Sequence, residues 1–474
     1  MNRRDLLKLG ALAVAPRAAR PNVVFIISDQ FHHAAYAAAG NPVVKTPNLD
    51  RLASEGVRFS NAVCATPFCS PTRASFLTGI YPHSHHIIRN VGNGEEGLDP
   101  RIPSTEQILF ENGYTCRQFG KWHLGDRSRQ PAYAAQLGGE KDSEGNRGKR
   151  GPGIGRNRLP VIMADAVKQA RSKWDGKGAD NTLMGRIGLA PERMIESRIT
   201  DDAIAELDTL AGKPFFLTVS LPAPHAPWEI GEPYYSMVPR PRIPLPENRH
   251  SAAPIDRDTA AWRFGQLLGE DGMREYLGIY FGLVSMVDWN IGRLLEALRK
   301  RQLERDTLVI FTADHGNMQG GHGIYDKTSY SMFEETTRVP LIVRWPGKIP
   351  SGKVVQTHAG SCDIQPTILD YMGMKPRGAI HGISLRPFLE GREDLERPMF
   401  CERERGTKDF QRLIRTQEWK YAYHSNGTSE LFNLRKDPGE TNNLIGEASA
   451  RAVKEKLHAR LAQWMRETGD TRKL

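Results

Sequence analysis

The run Asn22-Val23-Val24-Phe25-Ile26-Ile27-Ser28 is a short, apolar stretch rich in β-branched residues, and Asp29 and Gln30 follow it directly. A strand with one solvated face would alternate apolar and polar residues, whereas a strand covered on both faces reads as a continuous apolar run. The sequence therefore predicts a buried strand of a parallel sheet that ends at two polar side chains.

Two later runs repeat this pattern. Residues 215–220 read Phe-Phe-Leu-Thr-Val-Ser and lead to His225, and residues 307–312 read Thr-Leu-Val-Ile-Phe-Thr and lead to Asp314 and His315. Ligands of open α/β sheets bind at the carboxyl ends of the strands. We therefore expect these polar residues to meet at one edge of the sheet.

Helical patterns lie between these runs. One helix is predicted at residues 47–55, and Gly56 ends it. A second is predicted at residues 277–299, where apolar side chains recur at helical spacing. Strands alternating with helices predict an α/β fold, with a large mixed, mostly parallel sheet flanked by helices. That apolar stripe consists of Leu277, Tyr280, Val284, Val287, Ile291, Leu294 and Leu298.

The end of the chain has a different pattern. Short strands are predicted at 412–416, 419–423 and 430–434, followed by an amphipathic helix at about 448–467. A chain of 474 residues is too long for one hydrophobic core. We therefore predict a large domain at 21–395 and a C-terminal subdomain at 396–474, made of a small antiparallel sheet and a helix.

The segment from Cys69 to Gly79 reads Cys-Ser-Pro-Thr-Arg-Ala-Ser-Phe-Leu-Thr-Gly. Pro71 suits the first turn of a helix and Gly79 suits its end, so Cys69 is predicted at the N-terminus, where free amides favour an anion. Arg73, four residues on, would share its face. The alternative is an ordinary buried cysteine beside a helix cap.

The remaining sequence carries less information. A net charge of +10, without a nucleic-acid motif, fits a polyanionic substrate and no nucleic acid partner. Residues 126–190 resemble an insertion whose part from 138 to 158 holds seven glycines and six basic residues. That part is either a solvated loop or a basic flap over the substrate. The cysteines at 64, 116, 362 and 401 could be paired or free.

Residues 1–20 contain Asn2-Arg3-Arg4-Asp5-Leu6-Leu7-Lys8 and a short apolar run. This pattern predicts a twin-arginine signal and export to the periplasm, with a disordered basic start as the alternative. No later stretch is apolar enough to span a membrane, so no membrane partner is expected.

Three segments add to the Cys69 motif and to the segments around Asp29 and Asp314: Gly113–Gly125 with its Gly-Lys-Trp-His-Leu-Gly ending, Pro224-His225-Ala226-Pro227, and Gly323–Lys327 with Arg338-Val339-Pro340. Together, these six segments resemble the type I, formylglycine-dependent sulfatases of the alkaline phosphatase-like superfamily. The tail Glu430-Leu431-Phe432-Asn433-Leu434, with Asp437-Pro438, matches the usual C-terminal subdomain of the family.

The resemblance implies that a formylglycine-generating maturation enzyme oxidises Cys69, and that the hydrated aldehyde attacks the sulfur of a sulfated small molecule or glycan. Arg73 would hold the hydrate. Lys121 and Lys327 would bind sulfate oxygens, while two histidines would move protons. The implied general acid is His225, and the implied general base is His123.

The resemblance also implies one divalent cation, with Asp29, Gln30, Asp314, His315 and the modified Cys69 as ligands. Oxygen ligands favour calcium or magnesium, and the histidine adds a nitrogen. Many family members have aspartate and asparagine where Gln30 and His315 stand, so calcium is expected first while manganese and magnesium stay open. Alternatively, Asp29 merely caps the following segment.

Two other functions are compatible with the sequence. Phosphonate monoester and phosphodiester hydrolases of the same superfamily have similar metal residues but lack the Gly-Lys-Trp-His-Leu-Gly segment. If Cys69 stays unmodified, the chain could instead be a non-catalytic binder of sulfated glycans.

Overall fold

The computed structural model describes residues 20–92, 94–126, 159–175, 182–251, 259–327, 332–405 and 409–474. Within these ranges a large, mostly parallel sheet is flanked by helices, and a small antiparallel sheet with one helix follows near the C-terminus. The predicted fold class is confirmed. The twin-arginine segment and the glycine-rich stretch at 138–158 lie outside the described residues.

The strands, in chain order, are β1 (Asn22–Asp29), β2 (Val57–Val63), β3 (Thr115–Gly120), β4 (Met184–Arg186), β5 (Phe215–Pro224), β6 (Trp228–Ile230), β7 (Thr307–Ala313), β8 (Arg338–Arg344), β9 (Lys353–Val355), β10 (Ala359–Gly360), β11 (Met399–Arg405), β12 (Asp409–Arg415), β13 (Trp419–His424) and β14 (Glu430–Asn433). The α-helices are α1 (Pro47–Ser54), α2 (Cys69–Thr78), α3 (Pro82–His85), α4 (Thr105–Glu111), α5 (Asp165–Ser172), α6 (Ile195–Thr209), α7 (Ala260–Lys300), α8 (Glu334–Thr337), α9 (Ile364–Tyr371), α10 (Arg386–Leu389) and α11 (Arg451–Thr468).

The large sheet has the order β10-β2-β8-β7-β1-β5-β3, and β9 pairs with β2. Strand β1 lies between β5 and β7, parallel to both, and every one of its residues is buried. Strand β8 runs antiparallel to β7 and β2. Each fully buried valine, isoleucine or phenylalanine of such a strand contributes about 1.5–3 kcal/mol. The first apolar run is therefore a central strand, as predicted.

The carboxyl ends of four parallel strands meet at one edge of this sheet. Asp29 ends β1, Asp314 directly follows β7, and Lys121 directly follows β3. Strand β5 leads to His225. The register aligns the ends, because Gly120 pairs with Ser220 across β3 and β5. This edge, which the sequence predicted, positions the candidate site.

Helix α7 is longer than predicted. The stripe at 277–299 covers only its second half, and the helix is interrupted at Gly269, where φ is 61° and ψ is −170°. This backbone conformation is favourable only for glycine. The stripe side chains are buried in the core, as expected for a helix that packs on the sheet.

The C-terminal sheet has the order β11-β12-β13-β14, and α11 packs on β12 and β13. Three of its strands were predicted, whereas β11 was not. Its sequence, Met-Phe-Cys-Glu-Arg-Glu-Arg, ends in charged residues that are untypical of a buried strand. Arg412 of β12 pairs with Glu404 of β11 at 2.6 Å and compensates the charge of this glutamate. No helix of the described residues is long and apolar enough to cross a membrane.

Candidate active site

Helix α2 begins at Cys69 and ends before Gly79, as the sequence predicts. Phe68, in extended conformation, precedes it, and Gly79 adopts a left-handed conformation with φ of 70°. The side chain of Cys69 is fully buried. The nucleophile candidate therefore lies inside the protein, at the first turn of a helix, where the helix dipole favours negative charge.

Charged and ring groups surround the Cys69 sulfur. Sγ lies 3.2 Å from Nε2 of His315, 3.5 Å from Nζ of Lys327 and 3.6 Å from Oδ1 of Asp29. Burial raises the pKa of the Cys69 thiol, but Lys121, Lys327 and His315 outweigh it, so that the pKa lies well below its usual value. The surroundings thus stabilise negative charge at this position.

Two histidines also interact electrostatically with this site, because His123 helps to lower the pKa of Cys69 and Cys69 helps to raise the pKa of His225. Nδ1 of His225 donates to the carbonyl of Ala226 at 2.8 Å, which leaves Nε2 to serve the site. Burial lowers the pKa of His225, yet Asp29 and the hydrogen bond with Cys69 raise it above its usual value. His123 has a left-handed φ of 58°. The predicted acid and base therefore both influence the electrostatics around Cys69.

Two buried carboxylates, Asp29 and Asp314, lie behind the sulfur. Lys121 pairs with Asp29, and Nε of Arg73 donates to Oδ2 of Asp314 at 2.9 Å. Burial raises the pKa of Asp29, but Lys121, His225 and Arg73 hold it below its usual value. Both cations therefore help to keep this carboxylate ionised.

Arg73 contacts the carboxylates and the backbone around them. Its Nη1 donates to Oγ of Ser220 at 2.7 Å and to the carbonyl of Lys121 at 3.0 Å. We expected Arg73 to hold the nucleophile, and these contacts link it to the predicted metal ligands and to the ends of β3 and β5. Ser220 was not singled out, although it ends the apolar run of β5.

The predicted metal ligands form a compact set. One ligand atom each from Asp29, Cys69, Asp314 and His315 lies within 4.8 Å of the others. Nδ1 of His315 donates to the carbonyl of Gly316 at 2.8 Å, so Nε2 carries the lone pair that a metal ion would need. Oε1 of Gln30 is buried without a hydrogen-bond partner. Carboxylate oxygens, an imidazole nitrogen and an amide oxygen fit a divalent cation.

The C-terminal sheet reaches the residues before Cys69. The guanidinium carbon of Arg403 lies 3.5 Å from the ring centre of Phe68, and the amide of Glu402 donates to the carbonyl of Ala65 at 2.9 Å. Nothing in the local sequence could reveal these contacts, because they join segments more than three hundred residues apart. Strand β11 is therefore packed against the start of the nucleophile helix.

The other histidines near the motifs have packing roles. His85 hydrogen bonds to Ser75 at 3.1 Å, and His322 stacks on Phe333 with ring centres 3.6 Å apart. His83 pairs with Glu402 at 2.6 Å. All five cysteines lie within the described residues, and none forms a disulfide.

Comparisons with known proteins identify the family of this chain. The family model "Sulfatase" matches residues 21–374, and the model "N-sulphoglucosamine sulphohydrolase, C-terminal" matches residues 320–467. An ulvan-active sulfatase of Formosa agariphila is 29% identical and covers 95% of this chain and 82% of its own length. An N-acetylglucosamine-6-O-sulfatase of Bacteroides thetaiotaomicron is 27% identical, covering 94% and 87%.

A solved structure of a phosphonate monoester hydrolase of Agrobacterium radiobacter is 25% identical, covers 95% of this chain and 96% of its own, and superimposes with a TM-score of 0.77. It has the same overall fold. Because the sulfatase model spans most of the chain, including every candidate site residue, the chain belongs to the sulfatase family of the alkaline phosphatase-like superfamily and is a sulfuric ester hydrolase.

Proposed function

We propose that the protein hydrolyses sulfate esters of carbohydrates and releases inorganic sulfate at the site around Cys69. The observation that carries this proposal is the convergence of Lys121, Lys327 and two histidines on a buried Cys69 at a helix N-terminus. The two sulfatase relatives are named for ulvan and for N-acetylglucosamine-6-O-sulfate, which supports a carbohydrate as the sulfated substrate.

The proposal includes two groups that the chain acquires. A maturation enzyme converts Cys69 to formylglycine, and a divalent cation is held by Asp29, Gln30, Asp314, His315 and the modified residue 69. Calcium is the first candidate, with manganese and magnesium as alternatives. The hydrated formylglycine would supply an oxygen nucleophile with a geminal hydroxyl. The cation, when bound, would supply a positive charge that polarises the sulfate.

The protein's own side chains bind the ester and move protons. Lys327 and Lys121 bind sulfate oxygens as point charges, which the position of Nζ of Lys327, 3.5 Å from Sγ of Cys69, supports. His225 protonates the departing alcohol, and its raised pKa suits a general acid. His123 accepts the proton of the second hydroxyl. Arg73 keeps the carboxylates in position.

Matched substrates test the reaction type. The matured protein should release sulfate from 4-nitrophenyl sulfate, and from at least one sulfated mono- or oligosaccharide, faster than it cleaves bis-4-nitrophenyl phosphate or 4-nitrophenyl phenylphosphonate. The reverse ranking would contradict the proposal. Screening sulfated sugars that differ only in sulfate position would identify the substrate.

Phosphonate monoester or phosphodiester hydrolysis is the second candidate function. The observation that favours it is the similarity to the Agrobacterium radiobacter enzyme, together with Gln30 and His315 among the candidate ligands. Lys121 and His123 favour sulfate, because the sulfate cycle requires such groups and both lower the pKa of Cys69. A non-catalytic sulfated-glycan binder would retain an unmodified Cys69, which peptide mass spectrometry detects.

We further propose export through a twin-arginine signal at residues 1–20, to the periplasm, and a division into residues 21–395 and 396–474. Fractionation of cells that express the full chain tests export. Substitution of Arg3 and Arg4 by lysine should keep the protein in the cytoplasm, whereas an unchanged distribution would contradict the proposed signal.

A further inference from the structure

Gln30 is fixed at the carboxyl end of β1 by its backbone. It is fully buried, and its φ of 63° lies in the left-handed region that few non-glycine residues adopt. Its amide donates to Oδ1 of Asp314 at 3.1 Å, and its carbonyl accepts from the hydroxyl of Tyr280 at 2.7 Å. These two hydrogen bonds fix the backbone position from which the Gln30 side chain extends.

The side chain of Gln30 is fixed at its other end by Asp326. Nε2 of Gln30 donates a short hydrogen bond to Oδ1 of Asp326. Because the nitrogen of the amide is engaged, the oxygen must point elsewhere, and Oε1 is buried without a hydrogen-bond partner. Leaving such an acceptor unsatisfied costs about 1–3 kcal/mol. A cation at the neighbouring carboxylates would remove that cost.

We propose that Asp326 is a positioning residue that makes Gln30 a metal ligand and supplies, one hydrogen bond further out, the negative charge that the amide itself lacks. This inference rests on the metal site of the proposed function. A carboxylate that accepts from an amide N–H polarises the amide and increases the negative charge on its oxygen. Gln30 and Asp326 then act together as one anionic ligand.

The alternative is that Asp326 serves only the loop that carries Lys327. Its carbonyl accepts from the amide of Met318 at 3.3 Å, which shows that the residue also orders its own segment. A structural role alone would change the stability of the protein without changing its intrinsic affinity for a cation. Metal affinity, measured on folded protein, therefore separates the two roles.

The experiment titrates metal-free protein with MnCl2 and with CaCl2 by calorimetry, and checks folding by circular dichroism and thermal unfolding. Asp326→Ala should weaken binding about 10- to 100-fold, as loss of a hydrogen-bond partner of a metal ligand does. Asp326→Asn, which keeps an acceptor without the charge, should lie between Asp326→Ala and the wild type. Asp370→Asn is the matched control, because the Asp370 side chain accepts a hydrogen bond from Ser384 and is not among the candidate metal ligands. This variant should bind the cations like wild type.

A charge exchange provides the decisive comparison. Gln30→Glu alone should weaken binding, because two carboxylates would then face each other at the position of the present hydrogen bond. Gln30→Glu with Asp326→Asn should recover it, because the new asparagine can donate to the new glutamate. This double variant should also favour calcium over manganese more strongly than wild type does, since it adds a carboxylate ligand.

Wild-type affinity in Asp326→Ala would overturn the inference, as would Gln30→Glu binding as tightly as wild type with no gain in the double variant. If Asp326→Ala does not fold, the Gln30→Glu pair of variants decides. A wild-type protein that binds neither cation would overturn the metal site and this inference together. A protein that binds metal with the predicted order of affinities but releases no sulfate would support the inference and contradict the proposed function.

Discussion

Nζ of Lys327 lies 3.1 Å from Nε2 of His315. Because Nδ1 of His315 already donates to the carbonyl of Gly316, Nε2 carries the lone pair and accepts from the ammonium group. A candidate metal ligand and a candidate sulfate-binding cation are therefore in direct contact, beside the sulfur of Cys69.

Lys327→Met removes the ammonium group and keeps an unbranched apolar side chain beside Phe68, whose ring centre is 5.7 Å from Nζ. We expect kcat/KM for 4-nitrophenyl sulfate to fall about 10²- to 10³-fold, as for loss of one oxyanion-stabilising group. Competitive inhibition by inorganic sulfate should weaken as well. Lys348→Met, on the exposed surface, is the control. If Lys327→Met were inhibited by sulfate as strongly as wild type, the proposed role of Lys327 in binding sulfate would be contradicted.

Maturation of Cys69 can be followed on one tryptic peptide. Residues 59–73 contain both Cys64 and Cys69, so Cys64 is an internal reference thiol. The active protein should show one alkylated thiol and one aldehyde that reacts with a hydrazide. Cys69→Ala should lose at least about 10³-fold in turnover. Two alkylated thiols in fully active protein would refute the formylglycine mechanism.

The two histidines should differ in their dependence on the leaving group. His225→Asn should lower turnover about 10²- to 10⁴-fold with alkyl sulfates and much less with 4-nitrophenyl sulfate, whose leaving group needs no proton. His123→Asn should instead give a burst of 4-nitrophenol stoichiometric with the enzyme, followed by slow turnover. Equal losses across leaving groups for His225→Asn would exclude it as the general acid.

His83 should make stability dependent on pH. Both of its ring nitrogens face acceptors, Glu402 at 2.6 Å and the carbonyl of Thr468 at 3.1 Å, which requires the doubly protonated ring. Burial lowers the pKa of His83, but Glu402 and Asp470 raise it above its ordinary value.

A histidine whose pKa is raised in the folded state contributes stability fully below its unfolded pKa, about 6.5, and loses that contribution as pH rises through the folded value. Tm should therefore fall as pH rises from about 6.5 through the raised pKa of His83, and His83→Asn should abolish this slope at a cost of about 1–3 kcal/mol at low pH. His458→Asn, on α11, is the control. If Tm of His83→Asn still fell with rising pH, groups other than His83 would be responsible for the dependence.

Gly120→Ala should disrupt the edge of the sheet that carries Lys121. Gly120 has a φ of 86°, and a Cβ there would lie 2.0 Å from the carbonyl oxygen of Ser220. The variant should lose about 3 kcal/mol or more in the free energy of unfolding. Gly188→Ala meets no atom within 4 Å and is the matched control. Chemical denaturation of both variants measures the difference, and equal stabilities would contradict the register of β3 and β5.

Much of the fold was predictable because β1, β5 and β7 are covered on both faces, and their apolar runs therefore stand out in the sequence. Strand β3 was not predicted, because residues such as Arg117 and Gln118 interrupt its apolar pattern. Strand β11 was missed for the same reason. Charged residues can be buried in a strand when a partner from elsewhere in the chain compensates them, and that partner is not visible locally.

The candidate site follows the same rule. Residues that end strands, such as Asp29 and Asp314, could be assigned to one edge because parallel strands share their direction. The contacts of Arg73 with Ser220 and of Gln30 with Asp326 could not, since they depend on side-chain conformations and on packing between distant segments. The sequence therefore predicts which residues lie at the same edge of the sheet. The structure adds which side chains form hydrogen bonds with each other.

The complete burial of Cys69, with Glu402 of β11 bonded to Ala65 just before it, has a consequence for the order of events in biosynthesis. An enzyme that modified this cysteine, as we propose, would have easier access before the C-terminal sheet docks. At about 5–20 residues per second, roughly 15 to 65 s separate the synthesis of residue 69 from that of residue 401. The proposed maturation would therefore be easiest during this interval, before β11 can pack beside Ala65.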